Sequence, residues 1–134
     1  MRDKELVLKA LEVMDNAYAP YSEFKVGAAL LSEDGRVFCG CNIENAAYPA
    51  GICAERAAIS GAISSGAKEF VKIAIVGGKN GEITDCCPPC GICRQVLSEF
   101  CNENFEILLY NGERVKNYLL KELLPHNFGS EELC

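Results

Sequence analysis

By length, a chain of 134 residues is expected to form one domain, residues 1–134, large enough to bury a substantial core. A formal charge of −6 leaves no excess of Lys and Arg for phosphate contacts, which argues against a nucleic acid polymer and suits a small neutral partner. Met1 to Lys9 mixes charges of both signs and no apolar run is long enough to span a bilayer, so the expectation is a cytoplasmic protein with no export signal and no membrane partner.

In chain order, Asp3 to Ala17 places Leu6, Val7, Ala10, Leu11 and Met14 on one helical face, with charges opposite. That predicts an amphipathic helix ending before Pro20. Phe24 to Leu31 and Arg36 to Ile43 are apolar-rich and joined by Ser32-Glu33-Asp34-Gly35, so an antiparallel hairpin is expected. A loop through Tyr48-Pro49-Ala50-Gly51 leads to Cys53 to Ser65, alanine-rich and read as a buried helix. Val71 to Val76 is a β-branched run that fits a central strand closed by Gly77-Gly78. Asn80 to Pro89 is a loop, and Cys90 to Cys101 a helix with Pro89 at or just before its first turn. Phe105 to Tyr110 is a strand closed by Asn111-Gly112, and Val115 to Leu124 a strand turning into a short helix. A hairpin followed by alternating helices and strands implies one mixed sheet with helices packed on it.

Nine cysteines are many for this length, and the number is odd, so a disulfide framework would leave one thiol over. Reduced thiols, some of them on a metal, fit better. Cys39, Cys41, Cys101 and Cys134 have no ligand-like spacing to another motif and read as small buried or incidental thiols.

Two stretches carry chemistry. Cys53-Ala54-Glu55 sets a thiol two positions from a carboxylate, and Pro89-Cys90-Gly91-Ile92-Cys93 adds a CxxC pair. Three ligands leave a tetrahedral zinc with one open position, the arrangement of a catalytic rather than a structural site. A carboxylate beside that position can move protons to and from what binds there. Both ligand-bearing segments begin helices, whose N-termini favour the thiolate that a metal needs. Three thiolates overcompensate Zn²⁺, and Arg56, next to Glu55, is the candidate to moderate them by hydrogen bonding. Arg94, next to Cys93, is equally well read as a structural ion pair.

Other readings of the same residues exist. CxxC alone also serves thiol redox pairs. Cys87, Cys90 and Cys93 form CxxCxxC, and with Cys53 they offer a closed four-sulfur structural site that would bind a partner rather than turn over a substrate. Pro88-Pro89 favours extended backbone and so points Cys87 away from the metal. A closed site would also leave Glu55 without a task. His126, the only histidine, lies far along the chain and reads as a surface residue.

The combination CAER…PCxxCRQ matches the third-cysteine form of the zinc deaminase signature. With YAPYSEFKVGAAL, NIENAAYPAGICAER, PPCGICRQV and ELLPHNFG in that order, the chain resembles the small, homotetrameric, zinc-dependent cytidine deaminases over nearly its whole length. The resemblance implies a three-layer α/β/α fold around a mixed five-stranded sheet, and one Zn²⁺ per subunit on Cys53, Cys90 and Cys93. It implies hydrolytic deamination of cytidine and deoxycytidine in pyrimidine salvage, with water adding at C4 and Glu55 carrying protons to N3 and to the departing amine. It further implies Asn42 and Glu44 on the ribose hydroxyls, Phe24 against the pyrimidine, Ala54 at the substrate, and Tyr48 and Phe128 reaching a neighbouring subunit's site. From the residues alone, Asn42 and Glu44 lie on one face of a strand and would read as a solvated face, and Phe24 would read as core. A related deaminase acting on another aminated base or a nucleoside-like antibiotic is the runner-up within the enzyme class. Glu44 favours an unphosphorylated sugar, because it would repel a phosphate.

Overall fold

The apolar face at the start of the chain forms α1 (Asp3–Met14), which buries Leu6, Val7, Ala10 and Met14. In this computed structural model residues 1–133 are described; Cys134, one of the thiols read above as incidental, lies outside the described residues. The helical pattern extends to Ala17, but the last residues form turns, with Asn16 N–H donating to Val13 O and Ala17 N–H to Met14 O.

The expected hairpin is present as β1 (Phe24–Ser32) and β2 (Val37–Cys41), antiparallel with Leu31 opposite Val37. Gly35 takes φ 91 in the connecting turn, a left-handed conformation that glycine adopts without steric cost. There follow α2 (Ala54–Ser64), β3 (Phe70–Lys79), α3 (Gly91–Phe100), β4 (Glu106–Tyr110), β5 (Val115–Leu119) and α4 (Leu120–Leu123). The strands lie in the order β2-β1-β3-β4-β5, so β3 is central as expected. Only β3 and β4 run parallel and the other neighbours are antiparallel, which makes the sheet mixed.

Alternation along the strands divides the core between the two faces. Ala28, Leu30, Ile73, Ile75, Ile107 and Leu109 pack with Ala54, Ala58, Ile59 and Ala62 of α2 and Leu97 of α3. Ala29, Leu31, Ala74, Val76 and Leu108 pack with the buried face of α1. The result is the three-layer α/β/α arrangement. Full burial of side chains such as Leu30, Ile73 and Ile107 contributes about 1.5–3 kcal/mol each.

One boundary differs in a way that shapes the site. The β-branched pattern stops at Val76, yet β3 continues through Gly77 and Gly78, which pair with Val26 and Lys25. A Cβ on Gly77 would lie 2.8 Å from Cys87 Sγ and 3.0 Å from a ring carbon of Phe24. The glycine is thus the floor on which Phe24 and Cys87 rest, rather than the end of the strand.

Candidate active site

Cys53 is the N-cap of α2 and Cys90 the N-cap of α3, both in extended backbone, and Cys93 lies in the first turn of α3. Their sulfur atoms all lie within 4.8 Å of one another, with Cys53 to Cys90 at 3.9 Å and Cys90 to Cys93 at 3.5 Å. A tetrahedral zinc with Zn–S bonds of about 2.3 Å requires sulfur separations of about 3.8 Å. Three soft donors at that spacing fit zinc, and no other group of this kind occurs among the described residues.

Electrostatics agrees. The neighbouring Cys93 thiol draws the Cys53 thiol down to about 5 against the opposing effect of burial, with Arg56 assisting. Cys93 itself is pushed up by its closeness to Cys53 and by its burial. Packing three thiols together therefore leaves protons that a divalent cation displaces on binding. Arg56 Nη2 donates to Cys53 Sγ at 3.5 Å. Its Nε is buried and meets no partner among the described residues. Arg94 points elsewhere: its Nε donates to Pro89 O at 2.8 Å and its Nη1 to Leu123 O at 2.7 Å, so it ties the CxxC loop to the end of α4.

Beside the sulfurs, Glu55 is only 5 % exposed, and burial pushes its carboxyl above the usual range. It lines a cleft of about 710 Å³ together with Cys53, Cys90 and Ala54. That volume is in the range that holds a small organic ligand. Cys87 also lines the cleft but stands outside the three-sulfur cluster, and burial pushes its thiol up to about 12. Its position outside that cluster, rather than its protonation, keeps it from closing the site.

The outer part of the cleft is built by the Tyr18–Phe24 loop and by residues 42–44. β2 ends at Cys41, so these residues lie beyond the strand, where Ile43 bridges Tyr18 on one side and Ile52 on the other. Asn42 and Glu44 both line the cleft, but so do Ile43 and Asn45, so strand alternation is not what places them there. Asn42 Oδ1 accepts from Val26 N–H at 2.9 Å and its Nδ2 donates to Phe24 O at 2.8 Å. Glu44 Oε1 accepts from the Tyr21 and Ser22 N–H groups at 3.0 and 3.1 Å, and Oε2 from the Ser22 hydroxyl. That hydroxyl bond leads the effects that hold the Glu44 carboxyl below its ordinary range. Phe24 is 39 % exposed and lines the cleft, so the core reading of this residue is wrong.

Tyr48 is 80 % exposed at the rim, its ring set edge-on to Tyr21 at 6.5 Å. Phe128 is exposed, does not line the cleft of its own chain, and accepts at its backbone oxygen from Gln95 Nε2. His126 is exposed, as expected. Sequence reasoning missed Tyr21, Ser22, Ile52 and Pro88 as lining residues. Only Ser22 carried a local signal, since a serine two positions before Phe24 can turn back onto that residue's N–H.

The model of the family described as cytidine and deoxycytidylate deaminase zinc-binding region matches residues 1–109. A cytidine deaminase of Sporosarcina psychrophila is 42 % identical over 132 residues, covering 97 % of this chain and 93 % of its own. One from Halalkalibacterium halodurans is 41 % identical, covering 98 % of each. Among solved structures, the crystal structure of a Burkholderia pseudomallei cytidine deaminase superposes with a TM-score of 0.88 at 44 % identity, over 96 % of this chain and 100 % of that one. Sequence and fold thus converge along the whole cleft-bearing framework, and the chain belongs to the cytidine and deoxycytidylate deaminase family.

Proposed function

We propose that this chain is a zinc-dependent cytidine deaminase, converting cytidine and deoxycytidine to uridine and deoxyuridine with release of ammonia, in pyrimidine salvage. The observation that carries the reading is a buried carboxylate, Glu55, lining the same cleft as Cys53 and Cys90, two of the three thiols spaced for one tetrahedral ion.

Cys53, Cys90 and Cys93 hold one zinc per subunit. When bound, zinc supplies a Lewis acid that makes water a nucleophile near neutral pH. Glu55 takes a proton from the water that adds at C4 and passes it to N3; it then takes the proton of the new C4 hydroxyl and delivers it to the amine, so that the C4 carbonyl forms as the C4–N bond breaks and ammonia leaves. Its burial suits the task, because a raised carboxyl pKa brings proton uptake and release closer to neutral pH. Arg56 disperses charge on Cys53. Phe24 packs against the pyrimidine, Ala54 borders the substrate where α2 begins, and Asn42 and Glu44 bind the ribose hydroxyls.

The whole of residues 1–134 acts as one catalytic domain, and no nucleic acid polymer or membrane takes part. Tyr48 and Phe128, exposed aromatics with little support in their own chain, contribute to a neighbour's site in a homotetramer. No helix of the described residues is long and apolar enough to cross a membrane, and we place the enzyme in the cytoplasm.

The test is a spectroscopic assay of cytidine turnover with zinc content measured in parallel, on wild type and Glu55→Ala. The expected outcome is one zinc per chain in both proteins and a loss of at least about 10²–10⁴-fold in kcat for the variant. Wild-type protein that holds one zinc yet leaves cytidine unchanged, while deaminating another aminated base, would sink the substrate assignment.

A further inference from the structure

The ribose reading gives Asn42 and Glu44 a task and leaves the residue that holds Glu44 in place without one. A carboxylate offers roughly four lone-pair sites, two on each oxygen. Three donors from the Tyr18–Phe24 loop already occupy Glu44: Tyr21 N–H and Ser22 N–H on Oε1, and the Ser22 hydroxyl on Oε2. One acceptor direction remains, on Oε2, and Glu44 lines the cleft.

The Ser22 hydroxyl is itself fixed. Its oxygen accepts from Phe24 N–H at 3.0 Å, which closes a small turn across Glu23. Glu23 takes φ 59, a left-handed conformation uncommon for a residue with a side chain, and its carbonyl accepts from Asn80 N–H at 2.6 Å. With the oxygen committed to Phe24, the single hydroxyl proton is directed at Glu44. One side chain therefore joins the carboxylate assigned to the sugar to the backbone of the residue assigned to the base.

We propose that Ser22 is a positioning residue for sugar recognition: it orients Glu44 so that Oε2 presents one acceptor site to one sugar hydroxyl. This rests on the assignment of Glu44 to the ribose. Without the Ser22 hydroxyl, Oε2 has two open sites and the carboxylate is held through Oε1 alone. Part of the energy of binding the sugar hydroxyl is then spent on orienting the carboxylate.

The experiment compares kcat/KM for cytidine and for 2′,3′-dideoxycytidine, which lacks the hydroxyls Glu44 would bind, in wild type, Ser22→Ala, Ser22→Thr and Glu44→Ala. Ser22→Ala is expected to lose about tenfold with cytidine, as a charge-assisted hydrogen bond implies, and no more than about threefold with the dideoxy compound. Ser22→Thr, which keeps the hydroxyl, is expected to stay within about threefold of wild type on cytidine. Equal losses on both substrates would mean that Ser22 merely supports the loop, and would overturn the proposal, as would no loss on either. Glu44→Ala separates the two levels. If it discriminates strongly between the substrates while Ser22→Ala does not, the positioning role alone falls. If Glu44→Ala affects both substrates alike, the ribose assignment falls and the proposal with it.

Discussion

Gly40 of β2 sits directly beneath the first turns of α2, the helix capped by Cys53 and carrying Glu55. A Cβ at this position would lie 2.5 Å from both Ala54 O and Ala58 N, and 2.9 Å from Ala57 Cβ. The two closest atoms are backbone, so no side chain can rotate out of the way. Reaching ordinary contact requires α2 to lift by about 1 Å, an overpacking that costs about 1–3 kcal/mol. The same displacement moves Cys53 and Glu55 relative to Cys90 and Cys93, which belong to a different helix. A misplacement of about 1 Å can cost about 10²-fold in rate. For Gly40→Ala we therefore expect a urea midpoint lowered in proportion to that 1–3 kcal/mol, weaker zinc retention against a chelator, and kcat/KM for cytidine reduced by about one to two orders of magnitude. Urea unfolding, chelator competition and steady-state kinetics on one preparation read all three. A variant with the wild-type midpoint and wild-type kcat/KM would refute the claim that close approach of α2 to β2 sets the site geometry.

Two other outcomes follow from contacts around the cleft. Arg56→Ala removes the donor to Cys53 and should lower zinc affinity by about 10–100-fold, read by chelator competition; unchanged affinity would show that the arginine does not act on the metal site. The Glu44 carboxyl, held below the ordinary value chiefly by the Ser22 hydroxyl, should titrate higher in Ser22→Ala, as followed by carbon NMR of its side chain. Because that pKa is depressed in the folded state, its stabilising effect on the loop is present above the ordinary carboxylate value and is lost as pH falls through the depressed one. An unmoved midpoint would mean that the hydroxyl bond contributes nothing in solution.

Much of this was legible in the sequence because it is local. The Asp34-Gly35 turn, the alanine-rich α2 and the proline before α3 each act through neighbouring residues, so the element order follows from short-range pattern. Cys53 and Cys90 could be placed at helix starts for the same reason, and the clustered thiols stand at those starts. The two arginines show where local reading ends. Arg56 and Arg94 each stand beside a site residue, yet one donates to Cys53 and the other to Pro89 and Leu123. Which way a long side chain turns is decided by the elements packed around it, and these come from distant parts of the chain.

Residue types and spacing determined by themselves that three thiols and one carboxylate are available, that helix N-termini present them, and that one mixed sheet carries the helices. Tertiary structure decided which cysteines belong together: Cys87 follows the CxxCxxC spacing but rests on Gly77, outside the cluster that Cys53 joins from another helix. It also decided that Phe24 lines a cleft instead of a core, and that Ser22 reaches Glu44 across 22 positions of sequence. The physical reason is common to all three. Helix starts and turns are set by hydrogen bonds among near neighbours, whereas a binding site is made where separate elements meet, at distances set by packing that no single stretch contains.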